Sequence, residues 1–475
     1  MRYLPTVGLE IHSQLATDTK IFCGCSTRFG NDPNTQSCEV CLGMPGVLPV
    51  LNRRAVELAI RMALYTGGEV QRASYFARKN YFYPDLPKGY QISMFEHPLI
   101  RGGRVELDTS LGSKTIRLNR IHLEEDAGKL IHEEGRTESY FDVNRCGVPL
   151  IEIVTEPDFE TLEEVTLFLT TLKEMLIFAH ASLGNMEEGN IRVDTNISIR
   201  PEGQKELGTR AEIKNMNSFV NVIAAIKLEI ERQTGIIERG GAVVLETLLY
   251  DPVQNTVSAM RSKEEAHDYR YFPEPDLVPV VVDDEWIARI RAELPELRSD
   301  MRARFERDYG ILAYDAEILT TAPDIARYFE EVIRAGANPK EAANWVNGEV
   351  LRILKETHTD IRDFRATPPM LASLLGMVGG GVVSGLMAKT VFDEVAATGK
   401  DPNAIVEEKG LGQISDAGAL REAARKVMDA NPAEVARYRA GKTRLLGFFV
   451  GEVMKATRGK ANPREVNAIL LEMLS

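Results

Sequence analysis

The chain has 475 residues, of which 44% are hydrophobic and 27% charged, and its formal net charge is −13. That composition excludes global disorder, a collagen-like rod or a small disulfide scaffold, and the acidic balance excludes a protein that coats nucleic acid through bulk charge. No apolar run is long enough to span a bilayer.

The opening, Met1-Arg-Tyr-Leu-Pro-Thr-Val-Gly8, lacks the apolar core of a signal peptide, so the cytoplasm is the expected compartment. In Leu9-Glu10-Ile11-His12, period-two alternation predicts a strand with Glu10 and His12 on one face and Ile11 on the other. A glutamate and a histidine side by side on a strand can share a hard cation. Four of the five cysteines follow as Cys23-x-Cys25 and Cys38-x-x-Cys41. Two short knuckles of thiolates suit a closed tetrahedral Zn²⁺ site, with free thiols as the alternative. Cys146 stands apart and is expected to pack as a small buried side chain.

The stretch Ala77 to Ser93 interleaves Arg78, Lys79 and Lys88 with Tyr81 and Tyr83, and Pro84, Pro87 and Gly89 predict a rigid loop. Such cations can hold phosphate, and such rings can stack on a base. Thr115 to Leu118 reads as a strand. His122-Leu-Glu124-Glu125-Asp126 and Pro149-Leu-Ile-Glu152 then add carboxylates to the first motif. Glu160 to Phe178 carries Leu162, Val165, Leu169, Leu172 and Leu176 at helical spacing, and Phe219 to Arg232 predicts a second helix. Ile191 to Arg200 alternates as a strand and holds Asp194. In Arg210 to Asn217, Glu212 and Lys214 share a strand face. Strands and helices interleave without a strict βαβ period, so the fold class expected is α+β.

Pro273 to Pro279 is expected to close a first domain of residues 1–290. Beyond it helical patterns dominate, predicting a helical domain over 291–401 and a small helical tail over 402–475. Gly379-Gly-Gly381 reads as a helix break. From Ala430 to Arg464 there are eight basic and only two acidic residues, the electrostatic footprint of nucleic acid binding, with a solvated helix face as the alternative. Leu445 to Val450 should form the core of that tail. There is no Walker-type phosphate loop, because Ala436 stands where the first glycine should be before Gly441-Lys442-Thr443. Neither a Gly-x-Ser-x-Gly elbow nor a serine-rich amidase signature occurs, which argues against a nucleophilic hydrolase.

Taken together, several long stretches resemble the GatB family, the B-type subunits of the tRNA-dependent amidotransferases. They are Val7-Gly-Leu-Glu-Ile-His12, Arg78-Lys-Asn-Tyr-Phe-Tyr-Pro-Asp85, Lys88-Gly-Tyr-Gln-Ile-Ser93, His122-Leu-Glu-Glu-Asp-Ala-Gly-Lys129, Asp142 to Ile153, and a tail stretch, Leu445 to Pro463, similar to the family's YqeY-like end. The resemblance covers essentially the whole chain. It implies a mixed or antiparallel-sheet cradle, a helical domain and a YqeY-like tail. It further implies ATP- and Mg²⁺-dependent phosphorylation of the side-chain carboxylate of Glu on tRNA(Gln) or Asp on tRNA(Asn), followed by displacement of the phosphate by ammonia. The partners implied are an A-type subunit, the glutamine amidase that supplies the ammonia, and a small C-type subunit that braces the pair.

On that resemblance Glu10, His12, Glu125 and Glu152 are the expected catalytic residues. Glu10, His12, Glu124, Glu125, Glu152 and Glu212 are the expected Mg²⁺ ligands, with His12, Glu10 and Glu125 foremost and Asp194 a further candidate. Arg78, Lys79, Lys88 and Lys214 are expected at the nucleotide phosphates, Cys23, Cys25, Cys38 and Cys41 at structural Zn²⁺, and Arg437, Lys442, Arg444, Lys455, Arg458 and Lys460 at tRNA. The alternatives are a zinc-bearing protein that binds tRNA or aids assembly without an active site, and a free-standing carboxylate–amine ligase.

Overall fold

The computed structural model describes residues 3–132, 137–260, 269–412, 417–457 and 460–474. By contacts the chain divides into two compact units, 1–297 and 298–475.

The first unit is built on one large mixed sheet. Its principal strands are β1 (Tyr3–Gln14), β2 (Ala73–Asn80), β3 (Tyr90–His97), β4 (Gly112–Glu125), β5 (Pro149–Thr155), β6 (Ile191–Pro201), β7 (Ala211–Met216), β8 (Glu246–Asp251) and β9 (Thr256–Ala259). Their spatial order is β9-β8-β7-β6-β1-β5-β4-β3-β2, antiparallel except for the parallel β7–β8 pair. The strands alternate as the sequence predicts. Val7, Leu9 and Ile11 of β1, Ile151 and Ile153 of β5, Val193 and Ile197 of β6 and Ile121 and Leu123 of β4 are all buried in one core. Three helices cover that apolar face: α1 (Arg53–Thr66), α2 (Leu162–Phe178) and α3 (Phe219–Glu238). Each fully buried Leu, Ile or Phe contributes roughly 1.5–3 kcal/mol relative to exposure, so the strand register is set from this side. Helix α2 starts where a capping box closes, with the Thr161 hydroxyl accepting from the Glu164 amide and the Glu164 carboxylate accepting from the Thr161 amide.

One sequence expectation changes here. Arg78 and Lys79 lie on β2, not in a loop, and the loop proper runs between Asn80 and Tyr90. Extended Arg78-Lys79-Asn80 pairs with β3, so backbone pairing outweighs the local turn composition. Past the prolines after 273, Val280 and Val281 pair with β2, and helix α4 (Asp284–Ala292) packs on α1.

Among the described residues every named element of the second unit is a helix, in line with the α+β reading of the chain. The Pro368–Gly379 helix ends at the predicted glycine run, where Gly381 adopts φ +69°. The Pro402–Glu408 helix packs against the two helices before it, Pro368–Gly379 and Gly385–Thr398. A separate core begins at Leu420 and joins Ala424, Phe449, Val453, Leu470 and Leu474. Within Leu445 to Val450, Phe449 is fully buried whereas Phe448 is 40% exposed.

Candidate active site and metal centres

The sheet face opposite the helices is polar, and its register builds a site. His12 on β1 lies directly across from Glu152 on β5, and Glu152 across from His122 on β4. Side chains directly opposite in antiparallel strands share a face, so one row carries imidazole, carboxylate and imidazole. Glu124, two residues beyond His122, joins from the next row. His12 Nε2 lies 3.4 Å from Glu152 Oε2 and 3.5 Å from Glu124 Oε1. His122 Nε2 lies 3.5 Å from Glu152 Oε2 and 3.8 Å from Glu124 Oε2. One donor atom each from His12, Glu124 and Glu152 falls within 4.8 Å of the other two. Both ring nitrogens of His122 are buried without a hydrogen-bond partner. One half-buried imidazole, one half-buried and one buried carboxylate, with a second buried imidazole beside them, offer the donor set of a divalent cation site.

The electrostatics follow from this crowding. Burial pulls the His12 pKa down, but the bonded Glu152 and nearby Glu124 carboxylates outweigh it and leave the imidazole above its ordinary value. Burial works to raise Glu152, yet His122, His12 and Arg120 hold it well below the usual carboxylate range. Arg120 Nη2 is 3.6 Å from Glu152 Oε1, and its guanidinium lies 4.7 Å over the Phe95 ring, which stacks on Tyr271.

Farther along the same face is a second acidic group. Glu10 accepts from Asn196 Nδ2 at 3.2 Å, and its pKa is raised by burial and by Glu152, Glu212 and Asp194. Lys214 Nζ lies 3.1 Å from Glu212 and 3.5 Å from Asp194. Burial acts to lower the Lys214 pKa, but these carboxylates raise it overall. A cavity of about 210 Å³ adjoins Glu10 and is lined by Thr6, Gly8, Asn196, Ser198 and Arg210 among others.

Glu125 belongs elsewhere. Consecutive strand residues point to opposite faces, and Glu125 turns away from Glu124 to accept from Lys88 Nζ and from the Ile92 amide at 2.9 Å. The sequence singled out Glu125 as a foremost metal ligand; the structure instead joins Glu124 to His12 and Glu152. The other expected phosphate ligands are likewise spread. Arg78 forms a two-pronged pair with buried Glu274 at 2.7 and 2.8 Å. Lys79 Nζ sits 4.8 Å over the Tyr269 ring.

The four knuckle cysteines converge, with one sulfur from each within 4.8 Å of the others. The Cys41 thiol is held below its ordinary value, first by the Cys23 thiol and then by the Cys38 amide and Lys20, against the opposing effect of burial. Four soft donors in a closed cluster fit tetrahedral Zn²⁺. Gly43, at φ +67°, lets this knuckle lie on Lys88, because a Cβ there would collide with the Lys88 side chain. Cys146 is buried, as expected.

In the tail Arg437, Lys442, Arg444 and Lys455 are exposed, whereas Lys460 is half-buried and donates to the Gly410 carbonyl at 2.7 Å. Arg458 lies outside the described residues.

Sequence reasoning did not single out Arg120 or Arg192, and it named Asp126 only within the carboxylate motif that begins at His122. Asp126 is fully buried, accepts from Gln14 at 2.7 Å and Arg192 at 2.6 Å, and so ties β1 and β6 to the end of β4. Burial raises its pKa, but Arg192 and Arg145 lower it overall. The signal for Arg192 was present: it alternates with Val193 in phase with Asp194.

Among the described residues no helix is long and apolar enough to cross a membrane. A family profile described as "GatB/GatE catalytic domain" matches residues 5–288, and one described as "GatB domain" matches residues 327–474. Among similar proteins, one from Solidesulfovibrio magneticus is 54% identical over 100% of this chain and 99% of its own length. Another, from Syntrophotalea carbinolica, is 52% identical over 100% and 99%. A third, from Caldanaerobacter subterraneus subsp. tengcongensis, is 51% identical over the whole of both chains. All three are named as the B-type subunit of aspartyl/glutamyl-tRNA(Asn/Gln) amidotransferase. With two family profiles matched over most of its length and relatives more than half identical along the whole chain, this chain, with its polar sheet face carrying histidine and carboxylate, belongs to the GatB family of amidotransferase subunits.

Proposed function

We propose that this protein converts Glu-tRNA(Gln), Asp-tRNA(Asn) or both to the amidated aminoacyl-tRNA in an ATP-dependent reaction. The observation that carries the reading is the convergence of His12, Glu124 and Glu152 on the open polar face, with Glu10, Asp194, Glu212 and Lys214 farther along it. A carboxylate is a poor electrophile. Its oxygen attacks the γ-phosphorus of ATP, ADP departs, and an acyl phosphate forms; ammonia then attacks the carbonyl carbon and phosphate leaves. Mg²⁺ held by His12, Glu124 and Glu152 would neutralise the charge of two anions that must meet.

The chain's own groups set the stage. Glu152 stays ionised because His12, His122 and Arg120 surround it. Asp126 holds Arg192, and so the strand beside His12, in register. Lys214 remains charged beside Glu212 and is placed to offset phosphate on the far side of Glu10. The pair of Lys88 with Glu125 walls the opposite side, backed by the cysteine knuckle, which holds Zn²⁺ in a structural role. The exposed tail cations contact tRNA in the cytoplasm, and ammonia comes from an A-type amidase partner braced by a small C-type partner. The first test supplies the chain, co-expressed with its partners, with Glu-tRNA(Gln), ATP, Mg²⁺ and ammonium. ATP-dependent amide that collapses in Glu152→Gln, with tRNA binding retained, is expected. Unchanged amide formation in that variant would remove the catalytic assignment, and tRNA binding without amide from either aminoacyl-tRNA would leave the reading of a non-catalytic assembly protein.

A further inference from the structure

Lys20 has no exposed surface and is among the largest fully buried side chains of the molecule. Its Nζ donates to the Gln36 carbonyl at 2.7 Å and to the Val143 carbonyl at 3.4 Å, and lies 3.6 Å from Cys41 Sγ. Its backbone amide donates to the Cys25 carbonyl at 2.9 Å. Among the described residues no carboxylate pairs with it. Burying an ammonium without an anionic partner costs several kcal/mol, so a fully buried lysine calls for a source of negative charge. Four thiolates around a dication leave a net double negative charge, and that charge is the nearest candidate.

We propose that Lys20 is the internal counter-cation of the four-cysteine metal centre, a positioning residue that stabilises the Cys41 thiolate and pins the knuckle to the loop at Val143. The proposal rests on the metal reading of the cysteines. It explains why the lysine is sealed from water, and why its three contacts come from both sides of the knuckle and from the loop leading to Gly147. A Cβ built on Gly147 would sit 3.6 Å from both Lys20 Cδ and Cys41 Cβ, so these groups share one packed volume.

The test uses the full chain loaded with Zn²⁺ or with Co²⁺ as a coloured replacement. In Lys20→Met the Zn²⁺ dissociation constant, read by competition with a chromophoric chelator, should rise about 10- to 100-fold, the usual scale for loss of an outer-shell partner. The sulfur-to-Co²⁺ charge-transfer band should move to longer wavelength, because Cys41 loses the positive field that lowers its sulfur lone pair. Lys20→Arg keeps the charge and should return both readouts towards the unmodified chain. If Lys20→Met does not fold, Lys20→Gln takes its place. An unmodified chain that takes up no metal overturns the cysteine reading and the lysine role together. Metal uptake with the band unmoved in Lys20→Met, at full or reduced affinity, overturns the lysine role alone and leaves the centre standing.

Discussion

The two candidate metal centres of this chain are built in opposite ways. His12, Glu124 and Glu152 are carried by three neighbouring strands, so hydrogen-bonded register and a core on the far face place them before any ion arrives. Cys23, Cys25, Cys38 and Cys41 are carried by loop segments outside the named strands and helices. Segments of that kind have no repeating backbone pairing to hold them, and a bound ion would supply the cross-links.

The largest expected effect is therefore at the knuckle. Cys38→Ser combined with Cys41→Ser should abolish bound zinc and expose residues 23–50 to limited proteolysis, since structural Zn²⁺ contributes an apparent ~10–16 kcal/mol in small zinc domains. A knuckle that stays protease-resistant without metal would break the contrast. At the sheet-built site Glu152→Gln should lower the rate of ATP-dependent amide formation about 100- to 1,000-fold while thermal unfolding changes little. Under the same assay Glu125→Ala should leave Mg²⁺ affinity within about threefold, because Glu125 faces Lys88 and not the His12 cluster.

Smaller effects probe the frame of the sheet-built site. Asp126→Asn should cost about 3–5 kcal/mol in urea unfolding at neutral pH, the scale of breaking a buried ion pair. The Asp126 pKa is lowered in the folded chain. Its contribution is thus fully present above the unfolded value of about 3.9 and is lost as pH falls through the folded value, so the variant's deficit should shrink in acid. A deficit independent of pH between 2 and 7, roughly the span across both values, would assign the loss to packing instead. Last, Thr161→Ala removes the hydroxyl half of the capping box at α2 and should cost about 1 kcal/mol, read as a small fall in unfolding midpoint.

The linear chain shows much of this, and shows it unevenly. Alternation in Leu9-Glu10-Ile11-His12 and in Ile191 to Arg200 announces strands with one apolar face, because burying that face dominates the energetics of a sheet. Helical spacing announces α2 and α3, and the cysteine spacing announces a thiolate cluster. The carboxylates are harder. Glu124 and Glu125 are adjacent and chemically alike, and nothing local says which one faces the helices and which the open side. Arg78 looks like a free phosphate ligand until Glu274, 196 residues away in the chain, is seen to hold it. Lys460 looks like an exposed tail cation until its bond to Gly410 appears.

What the sequence by itself determined is therefore the periodic and the compositional: the mixed sheet, the helical second half, the thiolate knuckle, the basic tail and the family to which the chain belongs. What only the tertiary structure decided is which polar side chains meet. His12, Glu152 and His122 form a row because three strands distant in sequence pair in one register. Asp126 becomes a tie between strands because Gln14 of β1 and Arg192 of β6 meet it just past the end of β4. Lys20 lies at the sulfur of Cys41 because the knuckle folds over it. Pairing of distant segments is fixed by the burial of their shared apolar face, a property of the whole sheet, and the placement of each polar group follows from that face and not from its own neighbours in the chain.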